Sequence, residues 1–285
     1  MSNRNSRQAN FRSLLKHAIL RALVLPLLCF ALVLLGAGAA QAKKNKPKAL
    51  PPPPADLPGH VNYLARQLYG LHLDESGTIT GEIQKLVLDH LQQWAAERAP
   101  SDVEVRRELE NAFSLLHYPL VGQPAVFDQP WKGGVVIGAG YTLGWNDYDR
   151  VNVLAMFDSR EGKTRRAAVT NLLPRTDLHY EFPSPPAGSE DFRFLVYGIR
   201  RGKSHPRLSA ILYSFDGQSL KSLWETHDVY DGKLDVDKDK VVIRYLKEDE
   251  FIRETVQRRK PPRHEATYRL TPAGMELLDD HEIPF

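Results

Sequence analysis

Between residues 59 and 118 the apolar positions recur at helical spacing. Val61, Leu64, Ala65 and Leu68 form one stripe. Ile83, Leu86, Val87, Leu91 and Trp94 form a second, and Val105, Leu109, Ala112 and Leu116 a third. Each stripe covers one side of its helix, so all three predicted helices must bury that side against something else. Ser101-Asp102-Val103-Glu104 opens the third helix with a capping-box pattern. In that arrangement the Ser101 hydroxyl accepts from the Glu104 N–H while the Glu104 carboxylate reaches back.

The period changes after Pro119. Residues 119–132 contain three prolines and one apolar triplet, Ala125-Val126-Phe127, and read as a connector. From Gly133 onward the period is near two, with β-branched and aromatic residues enriched. Strands are predicted at 134–143, 150–157, 165–171, 177–182, 192–199, 207–215, 218–226, 240–246 and 265–270. Short turn clusters such as Asp158-Ser159-Arg160-Glu161-Gly162 and Asp216-Gly217 separate them. Intervals this short favour antiparallel hairpins, because parallel crossovers need a dozen or more residues. The expected fold class is α+β. A helical segment (59–118) and a connector (119–132) precede a mainly antiparallel β domain (133–285), built as a sandwich or open meander, with a partial propeller-like arrangement as the alternative.

One internal echo supports that alternative. Val153-Leu154-Ala155-Met156-Phe157-Asp158-Ser159 aligns with Ile211-Leu212-Tyr213-Ser214-Phe215-Asp216-Gly217 at an offset of 58 residues. Both are a strand running into a turn. The second copy, continued by Leu223-Trp224-Glu225, resembles a hairpin from a quinoprotein-type propeller blade over about 14 residues. A propeller needs four or more blades, and the β region has room for about three at ordinary blade length. Two similar hairpins in a sandwich explain the same echo more cheaply. The resemblance implies no functional residue here.

The first 42 residues have a different pattern. Arg4, Arg7, Arg12, Lys16 and Arg21 precede an uncharged apolar run from Ala22, which closes on Ala40-Gln41-Ala42. That is the order of a cleaved export signal: basic, apolar, then small residues at the cleavage site. An uncleaved membrane anchor is the rival reading, since residues 22–40 approach the roughly 20 needed to span a bilayer. Residues 43–58 hold four lysines and the run Pro51-Pro52-Pro53-Pro54, and read as a semi-rigid linker. The expected location is periplasmic or secreted, with membrane anchoring as the alternative.

Charge and cysteine content must be corrected for this leader. Cys29 is the single cysteine and lies inside it, so the cleaved chain has no disulfide and no thiol chemistry. The whole chain carries +3 from 38 basic and 35 acidic residues; the leader holds five of the basic ones, leaving 33 against 35, a net −2. The basic balance therefore gives no reason to expect nucleic acid as a partner.

Candidate chemistry is sparse. Val135-Val136-Ile137-Gly138-Ala139-Gly140 followed by Gly144 looks like a dinucleotide fingerprint, but the residues after it read as a turn and a strand. A pyrophosphate would need a helix there. A glycine-bearing edge strand is expected instead, with no nucleotide cofactor. Asp74-Glu75-Ser76-Gly77-Thr78-Ile79 resembles the middle of an EF-hand loop, yet the position for the terminal carboxylate is Ile83. It is expected to link two helices. Asp235, Asp237 and Asp239 alternate with lysines and read as a polar hairpin tip. No metal and no other cofactor is expected.

No histidine falls in an H-E-x-x-H pattern, and no G-x-S-x-G elbow exists. Three basic clusters, at 163–166, 200–203 and 258–263, would bind a polyanion only if their loops converged. The candidate ligand site is Trp145, Asn146, Asp147, Tyr148 and Asp149, where two aromatics interleave with an amide and carboxylates and could stack on a sugar face. The expected function is a non-enzymatic binding or scaffolding protein of the bacterial cell envelope, whose partner is a glycan, a lipid headgroup or another protein. The alternative is an envelope hydrolase with a carboxylate or histidine site assembled from separate loops.

Overall fold

Among the described residues, three amphipathic helices come first: α1 (Leu57–Gln67), α2 (Leu73–Ala95) and α3 (Asp102–Ala112). Asp56 caps α1 by accepting from the Gly59 N–H at 2.7 Å, with Pro58 inside the first turn where its missing N–H costs nothing. Ser101 and Glu104 cap α3 as a reciprocal box, as their spacing predicts. The computed structural model describes residues 52–68, 73–116, 120–144, 150–174, 177–201 and 205–284. The leader (1–42), linker residues 43–51 and the loop 145–149 lie outside them.

Twelve strands follow in three sheets, each a four-stranded antiparallel meander. The first sheet is β1 (Ala125–Trp131), β2 (Gly134–Leu143), β3 (Val151–Arg160) and β4 (Lys163–Thr170). The second is β5 (His179–Glu181), β6 (Phe192–Arg201), β7 (Pro206–Phe215) and β8 (Leu220–Tyr230). The third is β9 (Lys233–Asp237), β10 (Lys240–Tyr245), β11 (Arg263–Thr271) and β12 (Gly274–Ile283). A fourth helix, α4 (Glu248–Val256), lies between β10 and β11. The α+β class therefore holds, with β structure dominant.

Side-chain alternation fixes how these layers stack. On β2, Ile137, Ala139, Tyr141 and Leu143 join the helical stripes in one core, with Leu64, Ile83, Val87, Leu91 and Leu109. The opposite face of the first sheet, with Phe127, Val136, Leu154 and Met156, meets Phe194, Val196, Ile211, Tyr213 and Phe215 of the second. Intervening residues of those same strands, Leu195, Leu208, Ala210 and Leu212, meet Val241, Ile243 and Leu270 of the third. The order of layers is helices, first sheet, second sheet, third sheet. Burial of each large apolar side chain in these interfaces contributes roughly 1.5–3 kcal/mol. Residues Pro53–Phe285 form one compact unit.

The stack ends in two ways. The helices cover the outer face of the first sheet. The outer face of the third is charged and internally paired: Arg244 bonds Asp235 at 2.6 Å and Glu265 at 2.8 Å, and Arg269 bonds Glu276 at 2.8 Å. The alternating Asp235 and Asp237 thus lie on a β-hairpin whose ion pairs keep that face in water. A polar outer face on the terminal unit is what keeps a stacked architecture soluble.

Edges and joints are closed by side chains. Gln92 of α2 donates to the Thr164 carbonyl at 3.3 Å and accepts from the Arg166 N–H, covering the outer edge of β4. Buried Arg193 on β6 donates to the carbonyls of Thr271 at 2.7 Å and Pro272 at 2.8 Å, tying the second sheet to the last turn of the third. α4 is held by Phe251 against His205 and Tyr230, by His264 against Glu250 at 2.7 Å, and by the Arg207–Glu248 pair. Glu254 near its C-terminus accepts from Arg259 and Arg253, which hold its carboxyl down to about 2. The pair with Glu254 ionised is therefore present above the ordinary glutamate range and is lost only as pH falls toward 2.

The EF-hand-like stretch does not link two helices. Ser76, Gly77, Thr78 and Ile79 belong to the first turns of α2, where the Thr80 hydroxyl donates to the Ser76 carbonyl at 3.0 Å. Among the described residues, no group of three or more His, Cys, Asp or Glu side chains is arranged to hold a metal ion, and no helix is long and apolar enough to cross a membrane.

Candidate functional site

The glycine motif lets the aromatic rings beneath a surface cleft approach the first sheet, although not in the way a nucleotide site would. β2 is an interior strand, paired to both β1 and β3, which corrects the edge-strand expectation. Gly138 and Gly140 project toward the second sheet. A β-carbon on Gly138 would overlap the Phe127 ring. One on Gly140 would overlap the Tyr180 hydroxyl and sit 2.8 Å from the Ala125 carbonyl. Glycine is needed here for close approach of side chains, one of the two meanings of glycine inside a strand.

What the glycines admit is an aromatic floor. Phe127 of β1 contacts Tyr180 of β5 edge-on at 4.8 Å and Phe182 at 5.0 Å. The Tyr180 hydroxyl donates to the Ala125 carbonyl at 3.1 Å, pinning the second sheet to the first edge strand. Burial pushes the Tyr180 phenol well above its ordinary value, opposed by the positive field of Arg106. Tyr180 is thus a neutral donor and not a base.

Above this floor lies a cleft of about 640 Å³ between the inner edges of the first two sheets. Residues 121–127 form one wall and Asp177, Leu178, His179, Tyr180 and Phe182 the other, with Arg106 of α3 reaching in. The volume falls in the range of small-molecule sites. His179 is exposed and stacks at 5.4 Å on Tyr197. Asp177 faces Arg150 at 3.6 Å.

Arg106 is the charged group at the base. Its guanidinium donates to the carbonyls of Pro124 at 2.6 Å and Val126 at 3.2 Å, which blunts the free edge of β1. No carboxylate of the described residues lies within ion-pair distance of it. Among the described residues the cleft lining contains one carboxylate, Asp177, and no serine, threonine or cysteine.

The predicted ligand loop, Trp145, Asn146, Asp147, Tyr148 and Asp149, lies outside the described residues. Of its flanks, the Gly144 N–H donates to the Leu120 carbonyl at 2.9 Å, and Arg150 faces Asp177 of the cleft lining at 3.6 Å. The basic clusters are engaged separately. Arg166 pairs with Asp89, Arg200 with Asp228 and Arg259 with Glu254. Among the described residues four histidines pair with a carboxylate, His90 with Glu108 at 2.6 Å, His264 with Glu250 at 2.7 Å, His281 with Asp279 at 2.8 Å and His227 with Glu225 at 3.5 Å, and none of these residues lines the cleft.

Arg106, Phe127, His179, Tyr180 and Phe182 are the residues that sequence reading passes over. The available signal was the pair Gly138 and Gly140, which marks close approach without naming what approaches. No protein-family model matches the chain, and no curated protein matches it.

Proposed function

We propose that this is an exported, non-enzymatic binding protein of the bacterial cell envelope, and that the cleft between β1 and β5 is its ligand site. The observation that carries the reading is the cleft itself: an aromatic floor, a polar rim and, among the described lining residues, one arginine without a carboxylate partner and neither paired carboxylates nor an activated hydroxyl. Glycoside hydrolysis needs two facing carboxylates and acyl transfer needs a nucleophile with its base. The described lining residues include neither. The three stacked meanders read as a short propeller-like unit, closed off by helices at one end and by charge at the other.

Titrating the ¹⁵N-labelled protein with a library of small aromatic and sugar fragments tests the site. The expected result is a set of amide shifts confined to Gly122, Gln123, Leu178 and His179. Phe182→Ala, which removes a half-exposed ring, should weaken those ligands about tenfold while leaving the fold intact. A library that perturbs other surfaces and leaves these amides unchanged overturns the proposal.

Export has its own test. N-terminal sequencing of the protein recovered from the envelope should begin at Lys43-Lys44-Asn45. Recovery of a membrane-bound chain that retains Met1 would contradict cleavage and support the anchor.

A further inference from the structure

We infer that the ligand of this cleft is a monoanion with a flat apolar body, its carboxylate held by Arg106 and its body lying over the aromatic floor. The inference rests on the cleft being the binding site and adds the chemistry of what it binds.

Three observations converge on it. First, a guanidinium is ionised at every physiological pH, so its charge must be met by water, by a protein anion or by a ligand. Arg106 is half-buried, and no carboxylate of the described residues pairs with it. Second, its bonds to Pro124 and Val126 use two of five N–H donors. Three remain, and neutral carbonyls leave the positive charge uncancelled. One guanidinium with three free donors matches the charge and acceptor count of one carboxylate. A phosphate dianion would leave an excess negative charge in a partly apolar cleft, since among the described lining residues Arg106 is the one arginine or lysine.

Third, the floor beside Arg106 is aromatic and stiff. Phe182 is exposed on the cleft wall and is braced by the buried Phe127 ring at 5.0 Å, while Tyr180 is fixed by its bond to Ala125, so the exposed ring is held without further ordering. A planar apolar group can stack there at little conformational cost. A carboxylate on such a body satisfies both features at once, whereas an uncharged sugar leaves the cation uncompensated.

The test compares two probes of one shape on the full chain. 3-Phenylpropionate and 3-phenylpropanol differ in charge and little else. The acid should bind at least about tenfold more tightly, and raising salt from about 20 to about 500 mM should erase most of the difference. Arg106→Met should reduce acid binding to the level of the alcohol, and Arg106→Lys should restore part of it, because lysine keeps the charge and loses the fork. Should Arg106→Met unfold, the wild-type acid-to-alcohol ratio and the shift of the Arg106 side-chain ¹⁵N resonances decide the question alone. Equal binding of both probes with shifts at Gln123 and His179 refutes the anion while keeping the cleft as the site. Absence of shifts at the cleft with either probe removes the site as well.

Discussion

Phe127→Ala should destabilise the protein by about 3–5 kcal/mol, the usual cost of truncating a buried phenylalanine. Phe127 is 5% exposed and touches four other aromatic rings, Tyr180, Phe182, Phe192 and Phe194, at centroid distances of 4.8 to 6.1 Å. It fills the space that Gly138 leaves open, so its removal creates a cavity between the first two sheets that the facing β2 backbone cannot close. For a folded unit of this size the thermal midpoint should fall by roughly 6–15 °C. Phe127→Leu, which keeps most of the volume, should cost about half as much. Thermal and urea unfolding measure both. A loss below about 1 kcal/mol for the alanine variant would mean that the two sheets do not share this core.

Arg193→Met should cost about 3 kcal/mol without touching the cleft. Arg193 is 7% exposed and supplies two charge-assisted bonds to the carbonyls of Thr271 and Pro272. Burial draws its guanidinium below the ordinary arginine value, partly offset by Asp191, so the charge is held there at some expense. Bonds of this kind contribute about 1.5–3 kcal/mol each, and methionine leaves both carbonyls without their donor. The loss should be concentrated in the third sheet. Amide exchange in β11 and β12 should accelerate more than in β2 and β3. Uniform acceleration, or none, would show that Arg193 does not join the second sheet to the third.

Much of the architecture can be traced to local pattern, and the failures have physical causes. The three helical stripes match α1, α2 and α3, because each helix buries one side only. β2, β6 and β7 are read within a few residues, because β-branched and aromatic runs bounded by turns leave few alternatives. β1 is missed because Asp128, Gln129 and Pro130 interrupt its apolar start; Pro130 is tolerated on an edge strand whose outer N–H needs no partner. β12 is missed because Glu276, Asp279, Asp280 and Glu282 charge it, which is how an exposed edge avoids pairing with another chain. α4 reads as a polar stretch, since much of its hold comes from ion pairs and from one ring, Phe251.

The internal echo has a definite meaning in the structure. Val153–Ser159 lies wholly within β3, whose strand runs on through the expected turn residues Asp158 and Ser159, while Ile211–Gly217 falls on β7 and the turn after it; these are the third strands of the first and second sheets. Each copy lies in a four-stranded antiparallel meander, at the same place in the strand order. Periodicity could not reveal the stacking, because Leu195 and Val196 are buried against different sheets although they are adjacent in sequence. The cleft was illegible for a similar reason. Arg106 and Tyr180 meet only after a helix has been laid on the first sheet and the second sheet stacked behind it.

The claim that the β1–β5 cleft holds the ligand is tested most directly by filling it. Cys29 is the single cysteine of the chain, so a Cys29→Ser, Gln123→Cys protein carries one thiol, at an exposed residue of the cleft lining. Coupling that thiol to a pyrene maleimide should abolish 3-phenylpropionate binding, while the same label at Lys233→Cys, on the charged outer face of the third sheet, should leave binding unchanged. Undiminished binding to the Gln123→Cys protein after complete labelling would place the ligand elsewhere and contradict the account.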